Sequence, residues 1–229
     1  LRGPKGRANG GLPRRGDRVG ALDTTPESEK ITLFGHNKEN GKHIMETTQT
    51  TIAGIPALTY GTPSDKAFLY VHGRYSRKEE AESFARVVTA KGYQVVSFDL
   101  PEHGERAGEA YPCTVRNGVR DLRAIYDAVT NAHRSLSLYA CSLGAYFSLV
   151  AYGGVAFARC LFVSPILDME RLIRTMMRWS NVTEERLRGE KRIETSFGET
   201  LSWEYYEYVR NHPVTRWDSP TSILYGEND

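Results

Sequence analysis

Long apolar runs are missing from this sequence. No stretch approaches the ~20 consecutive apolar residues that a membrane span requires, and no signal peptide with an apolar middle is visible, so no membrane partner is expected. Charge of one sign is scarce as well: 30 Lys and Arg stand against 28 Asp and Glu. Even that excess is local, because residues 1–30 hold seven basic side chains against four acidic ones. A nucleic-acid reader should carry a dominant basic face, so no nucleic-acid partner is expected either. Cysteine is rare and odd in number, and Cys113, Cys141 and Cys160 form neither a CxxC pair nor a cluster with histidine. This excludes a zinc-type spacing; Cys141 and Cys160 lie in apolar runs that read as strands, and a reduced, cytoplasmic protein with small buried thiols is expected.

What is present suffices for one sizeable core: 229 residues, 40% of them hydrophobic and 25% charged. Residues 1–30 are of another kind, rich in Gly, Pro and Arg with almost no apolar period. They are expected to be disordered, since they cannot bury enough surface to offset their ordering entropy. A transit segment or a nucleic-acid arm is the alternative. Because the chain opens on Leu1 rather than Met, a fragment or a start placed too far upstream is the favoured explanation of this segment.

From residue 31 onward, strand-like and helix-like segments alternate. Residues 43–53 and 55–62 read as a hairpin, and 67–71 as a strand covered on both faces. Residues 77–91 carry a helical stripe (Ala81, Phe84, Ala85, Val88) that stops at Gly92, and 93–100 form the next strand. Residues 118–133 are again amphipathic. Then come a strand at 135–140, a helix at 143–152 and a strand at 159–166. Strands alternating with helices predict parallel crossovers, hence an α/β fold with a mostly parallel sheet and helices on both faces. After this sixth strand the rhythm breaks. Residues 168–218 hold helical pieces at 168–181, 183–192 and 202–211, and strand character resumes only at 221–225. Such an all-helical insertion is expected to form a cap over the sheet's carboxyl edge, where open α/β sheets bind ligands.

The stretch Ala140-Cys141-Ser142-Leu143-Gly144 joins the fifth strand to a helix without a linker. A strand that turns into a helix within one residue strains that residue, and its neighbours at minus two and plus two must be small. Ala140 and Gly144 meet that need. Ser142 would then stand proud of the sheet edge, with the Leu143 N–H beside it as half of an oxyanion hole: a nucleophile elbow. The structural alternative is a serine that only caps the helix.

Three more pieces lie at strand ends: His72-Gly73-Arg74-Tyr75-Ser76, then residues 98–106 (FDLPEHGER), then residues 224–229 (LYGEND). In this order, with the Ser142 turn, they resemble the α/β-hydrolase family over residues 31–229. The resemblance implies that the Arg74 N–H supplies the second oxyanion donor, and that the acid following the last strand is Asp229. Ala140 departs from the family's usual glycine but is small enough to fit. The family's chemistry also needs a histidine after the acid, in the order serine, acid, histidine. Every histidine here precedes Asp229, so the sequence is expected to be cut short at its C-terminus, with the last strand and helix missing.

The expected activity is that of a serine hydrolase acting on a small-molecule carboxylic ester or thioester, with no metal and no organic cofactor. The alternatives are a non-catalytic scaffold of the same fold that binds a ligand or partner under its cap, and a peptide or acyl-peptide hydrolase. His72 and His103 read as structural loop residues, while His36, His43, His133 and His212 have no partner spacing. Asp99 is expected to order the loop that follows it, and Asp168 is an alternate acid. Cys141 is expected in the packing. Met176, Met177, Trp179, Trp203, Tyr205, Tyr206 and Tyr208 are expected to pack the cap, with some lining an apolar acyl or alcohol pocket. The charged run at 183–192 reads as a solvated face.

Overall fold

The computed structural model describes residues 45–227, so the expectations for residues 1–30, His36, His43 and Asp229 lie outside the described residues. Nine strands and six α-helices follow one another: β1 (Thr47–Ile52), β2 (Ile55–Tyr60), β3 (Lys66–Val71), α1 (Glu82–Thr89), β4 (Gln94–Phe98), α2 (Val115–Thr130), β5 (Ser135–Cys141), α3 (Ser142–Ala151), β6 (Cys160–Val163), α4 (Met169–Trp179), α5 (Glu184–Glu190), β7 (Arg192–Glu194), β8 (Thr200–Ser202), α6 (Trp203–Asn211) and β9 (Thr221–Leu224). Seven strands form one sheet in the order β1-β2-β4-β3-β5-β6-β9. The pairs β1–β2 and β2–β4 are antiparallel, and the pairs from β4 through β3, β5 and β6 to β9 are parallel.

Alternation along β3 shows how one strand serves two cores. Ala67, Leu69 and Val71 face the core filled by α2 and α3, whereas Phe68 and Tyr70 join Ala81, Ala85 and Val88 of the α1 side. Helix α3 is buried almost all round, from Leu143 through Leu149, as a central helix pressed between sheet and neighbours should be. Its closest neighbour is α2, and Gly118 explains how near they come. A Cβ on Gly118 would lie 2.4 Å from the ring of Phe147. Helix α2 begins at Val115, earlier than the predicted 118, because Thr114 caps it by accepting from the Asn117 N–H.

Between β6 and β9 lie α4, α5 and α6, near the predicted helical positions. Between α5 and α6 the structure adds a short antiparallel hairpin, β7–β8, that periodicity did not predict. Lys191, with φ of 66°, ends α5, and its carbonyl accepts from the Trp203 N–H, which closes the base of the hairpin. β9 forms the far edge of the sheet, where Ile223, Leu224 and Tyr225 are exposed. No helix among the described residues is long and apolar enough to cross a membrane.

Candidate active site

β5 ends at Cys141 and α3 begins at Ser142, with no residue between them. Ser142 has a φ of 47°, a left-handed conformation that costs an L-residue on the order of 1–3 kcal/mol and persists only where surrounding packing enforces it. That packing is visible at Gly144, where a Cβ would lie 2.3 Å from the His72 carbonyl oxygen and 2.8 Å from that of Val71. Ala140 is fully buried and pairs in register with Val71. Small size at plus two is therefore required by contact, Ala140 at minus two is out of solvent, and Ser142 itself is half-buried. The N–H of Leu143 belongs to the first turn of α3, whose donors have no partner inside the helix.

The loop after β3 meets this turn directly. A Cβ on Gly73 would be 3.4 Å from the Ser142 Cβ and 3.5 Å from the Cys141 carbonyl oxygen and Sγ. His72 is buried, with Nδ1 2.7 Å from the Gly73 carbonyl and Nε2 3.1 Å from the Leu100 N. Because the Leu100 N–H can only donate, Nε2 accepts, and the ring proton is on Nδ1. Burial pushes the His72 pKa down to about 4, so the ring is neutral at physiological pH. Beyond His72 and Gly73 the loop is exposed. Tyr75 stands at φ of 62°, and the Arg74 side chain grips Glu199 of the hairpin turn, with Nε to Oε1 and Nη2 to Oε2 both at 2.8 Å.

The loop after β4 is organised by buried charge. Asp99 is fully buried and accepts from the Lys78 N–H (2.9 Å), Lys78 Nζ (2.9 Å) and the Glu105 N–H (3.1 Å). Lys78 Nζ also pairs with Glu79 and Glu105. Gly104, at φ of 53°, leaves no room for a side chain, since a Cβ there would meet the Asp99 carboxylate at 2.2 Å. Arg106 donates to Asp121 at 2.7 Å and to the Asp99 carbonyl at 3.1 Å. Asp99 thus has the loop-ordering place read from the sequence.

The remaining candidates are engaged elsewhere. His103 is bound through Nδ1 to the Pro101 carbonyl, His133 to that of Ser64, and His212 to that of Tyr208. Asp168 caps α4, accepting from the Arg171 N–H at 2.8 Å. Cys113 and Cys160 carry free thiols whose pKa values burial raises to about 12 and about 11, which leaves them inert as nucleophiles at neutral pH. Met177, Trp203 and Tyr206 are buried in the core as expected, but Trp179 is exposed, with its ring edge-on to that of the exposed Phe197. Tyr146, one turn after Ser142, is buried, and its hydroxyl has no hydrogen-bond partner among the described residues. A cavity of about 250 Å³ lies between the two loops, lined by Arg74, Tyr75, Ser76, Glu102, His103, Gly104 and Cys113, and Ser142 is not in its wall. Among the described residues no group of three or more His, Cys, Asp or Glu side chains is placed to hold a metal ion.

Comparison with known proteins agrees with this architecture. No curated protein sequence matches the chain. Among solved structures, Est1E from Butyrivibrio proteoclasticus superimposes with a TM-score of 0.60 at 14% identity, covering 80% of this chain and 78% of that one. Alpha/beta hydrolase domain-containing protein 10 from mouse gives 0.61 at 14% identity, covering 87% and 78%. At such identity these likenesses concern the fold. The family profile described as "Serine aminopeptidase, S33" matches residues 62–226, well over half of the sequence. That span runs from the strand before the His72 loop to the end of β9, and through it the chain belongs to this family of α/β-hydrolases.

Proposed function

We propose that the protein is a serine hydrolase that cleaves a carboxylic ester or thioester through an acyl-enzyme on Ser142. The observation that carries this reading is the left-handed Ser142, enforced by a Gly144 that cannot bear a side chain. A residue that only capped α3 would need no such strain.

In the proposed reaction the Ser142 Oγ attacks the substrate carbonyl carbon and its proton passes to a histidine base. The carbonyl oxygen becomes an oxyanion held by the N–H groups of Leu143 and Arg74. The bond to the leaving alcohol or thiol then breaks, and the base returns the proton to it. Water next attacks the acyl group, the base takes its proton, and Ser142 leaves reprotonated. Asp229 orients the base. Neither His72, neutral with both nitrogens engaged, nor His103, bound to its own loop, takes the part of that base. The segment 168–218 acts as the cap. The structure of Est1E with ferulic acid, a carboxylic acid, supports an acyl site in this fold.

The family description favours a second reading, peptide hydrolysis by the same residues. Parallel assays of the full-length protein with p-nitrophenyl esters and aminoacyl p-nitroanilides separate the two. The first test is fluorophosphonate labelling with turnover: Ser142→Ala is expected to abolish labelling and cut kcat by on the order of a millionfold. Equal labelling of the variant would move the nucleophile elsewhere.

A further inference from the structure

Glu199 lies far from the serine in sequence, yet it reaches the loop beside it. Its carboxylate receives the fork of Arg74 and also the hydroxyl of Tyr75, at 2.7 Å. Three hydrogen bonds from two consecutive residues converge on one acid. A bidentate guanidinium–carboxylate pair fixes orientation as well as distance.

The acid is itself rigidly mounted. The Thr195 hydroxyl donates to the Glu199 carbonyl at 2.7 Å and accepts from the Glu199 N–H at 3.1 Å. The Thr195 N–H donates to the same carbonyl at 2.9 Å, and Gly198, at φ of 86°, completes the turn. Past Gly73 the loop it holds is exposed at Arg74 and Tyr75, whose side chains also stack on each other, the guanidinium 4.9 Å from the ring centroid. Tyr75 is 76% exposed and keeps a left-handed backbone without being glycine. Exposed chain in a strained conformation relaxes unless something outside it supplies the restraint.

We propose that Glu199 is a positioning residue for the oxyanion loop: by clamping Arg74 and Tyr75 it fixes the direction of the Arg74 N–H and ties that direction to the placement of the cap hairpin. The proposal rests on the reading of Ser142 and Arg74 given above. Glu199 touches no reacting atom. Its effect passes through the loop, so it belongs to turnover more than to substrate affinity. A displacement of about 1 Å in a catalytic group can cost on the order of a hundredfold in rate, and losing one oxyanion donor outright costs about 10²–10³.

The test is steady-state ester hydrolysis by the full-length protein carrying Glu199→Ala or the isosteric Glu199→Gln, with Ser142→Ala as reference and melting temperature followed in parallel. Glu199→Ala is expected to lower kcat about 10–100-fold while KM moves less than about threefold. Glu199→Gln should lie between it and the parent, because its amide oxygen still accepts from Tyr75 or Arg74. The charge-reversed pair Arg74→Glu with Glu199→Arg should exceed either single variant, since the Arg74 backbone N–H survives the exchange. Should Glu199→Ala fail to fold, Glu199→Gln decides by the same kcat criterion. Parent-like kcat in a folded Glu199 variant, with Ser142→Ala dead, overturns the positioning role and leaves the serine reading standing. A rise in KM alone would make Glu199 a substrate-binding residue and overturn it too. If Ser142→Ala keeps its turnover, the serine reading fails first and this proposal with it.

Discussion

The loop after β4 is held from within by buried charge. Lys78 and Asp99 are almost wholly out of solvent, and Arg106 with Asp121 adds a second buried pair a few residues on. The neighbouring loop after β3 is anchored at its root by His72, but its outer half is held by Glu199, in a contact where Arg74 keeps 41% and Glu199 25% of side-chain exposure. Buried pairs are costly to break because the survivor is left charged without water, whereas exposed pairs add little to stability. The two loops therefore divide the labour. The β4 loop and the His72 root of the β3 loop secure the fold, whereas the outer half of the β3 loop rests on a contact that contributes little to the folding free energy. Residues that matter for stability should concentrate in the β4 loop and at the His72 root, and the outer half of the β3 loop should matter little to it.

The largest effect should come from the β4 loop. Asp99→Ala leaves Lys78 buried, and removing one member of a buried pair costs about 3–5 kcal/mol. Glu79 and Glu105 still face the ammonium, so urea unfolding should give a loss near the lower end of that range. A loss below about 1 kcal/mol would erase the distinction between the loops. Next is His72, whose folded pKa of about 4 lies below its ordinary 6.5. The unfolded chain takes up this proton first as pH falls. The contribution of His72 is therefore complete above pH 6.5 and is lost between 6.5 and about 4, amounting to on the order of 3 kcal/mol. Unfolding measured across this window, beside His72→Gln, should show a steep limb that the variant flattens. An unchanged slope would mean that His72 is not held neutral.

Gly144→Val presses on the root of the β3 loop through the His72 and Val71 carbonyls. Overpacking costs about 1–3 kcal/mol, and the backbone contact should bring activity down with it, whereas Cys141→Ala should be milder. A soluble, fully active Gly144→Val protein would deny the tight turn. The smallest effect on stability is expected at Glu199→Ala, within about 0.2–1 kcal/mol by thermal melting, although turnover falls. A larger loss there would make the outer β3 loop structural after all.

Most of the parallel sheet was legible because its strands are short, continuous apolar runs bounded by Gly and Pro, and the helices carry apolar stripes. The Ser142 turn was suggested by Ala140 and Gly144, which alone left helix capping open, and the motifs at the other strand ends favoured the turn. Two features were not legible. Gly118 reads as a helix start but sits inside α2, because the demand for small size comes from Phe147 on another helix. The β7–β8 hairpin consists of two three-residue strands, too short for any alternation to register. With the hairpin unseen, Glu199 remained one acid among many, and its partners lie 124 and 125 residues away. Such a partnership is created by topology, and no local pattern encodes it.

The register of β3 on β5 carries a consequence for how this protein can vary. Val71 pairs with Ala140 and Tyr70 with Tyr139, so the two strands release their chains at one level, and the Gly73 and Ser142 turns meet. Each residue advances a strand by about 3.3 Å. Side chains along either strand can be exchanged while that meeting is kept. An added or deleted residue in β3 or β5 cannot, because it would slide one turn past the other by a full step and turn every inward side chain outward. Change in this part of the molecule is thus confined to substitution, while the exposed hairpin turn at residues 195–199 can tolerate a change of length only by giving up its grip on Arg74.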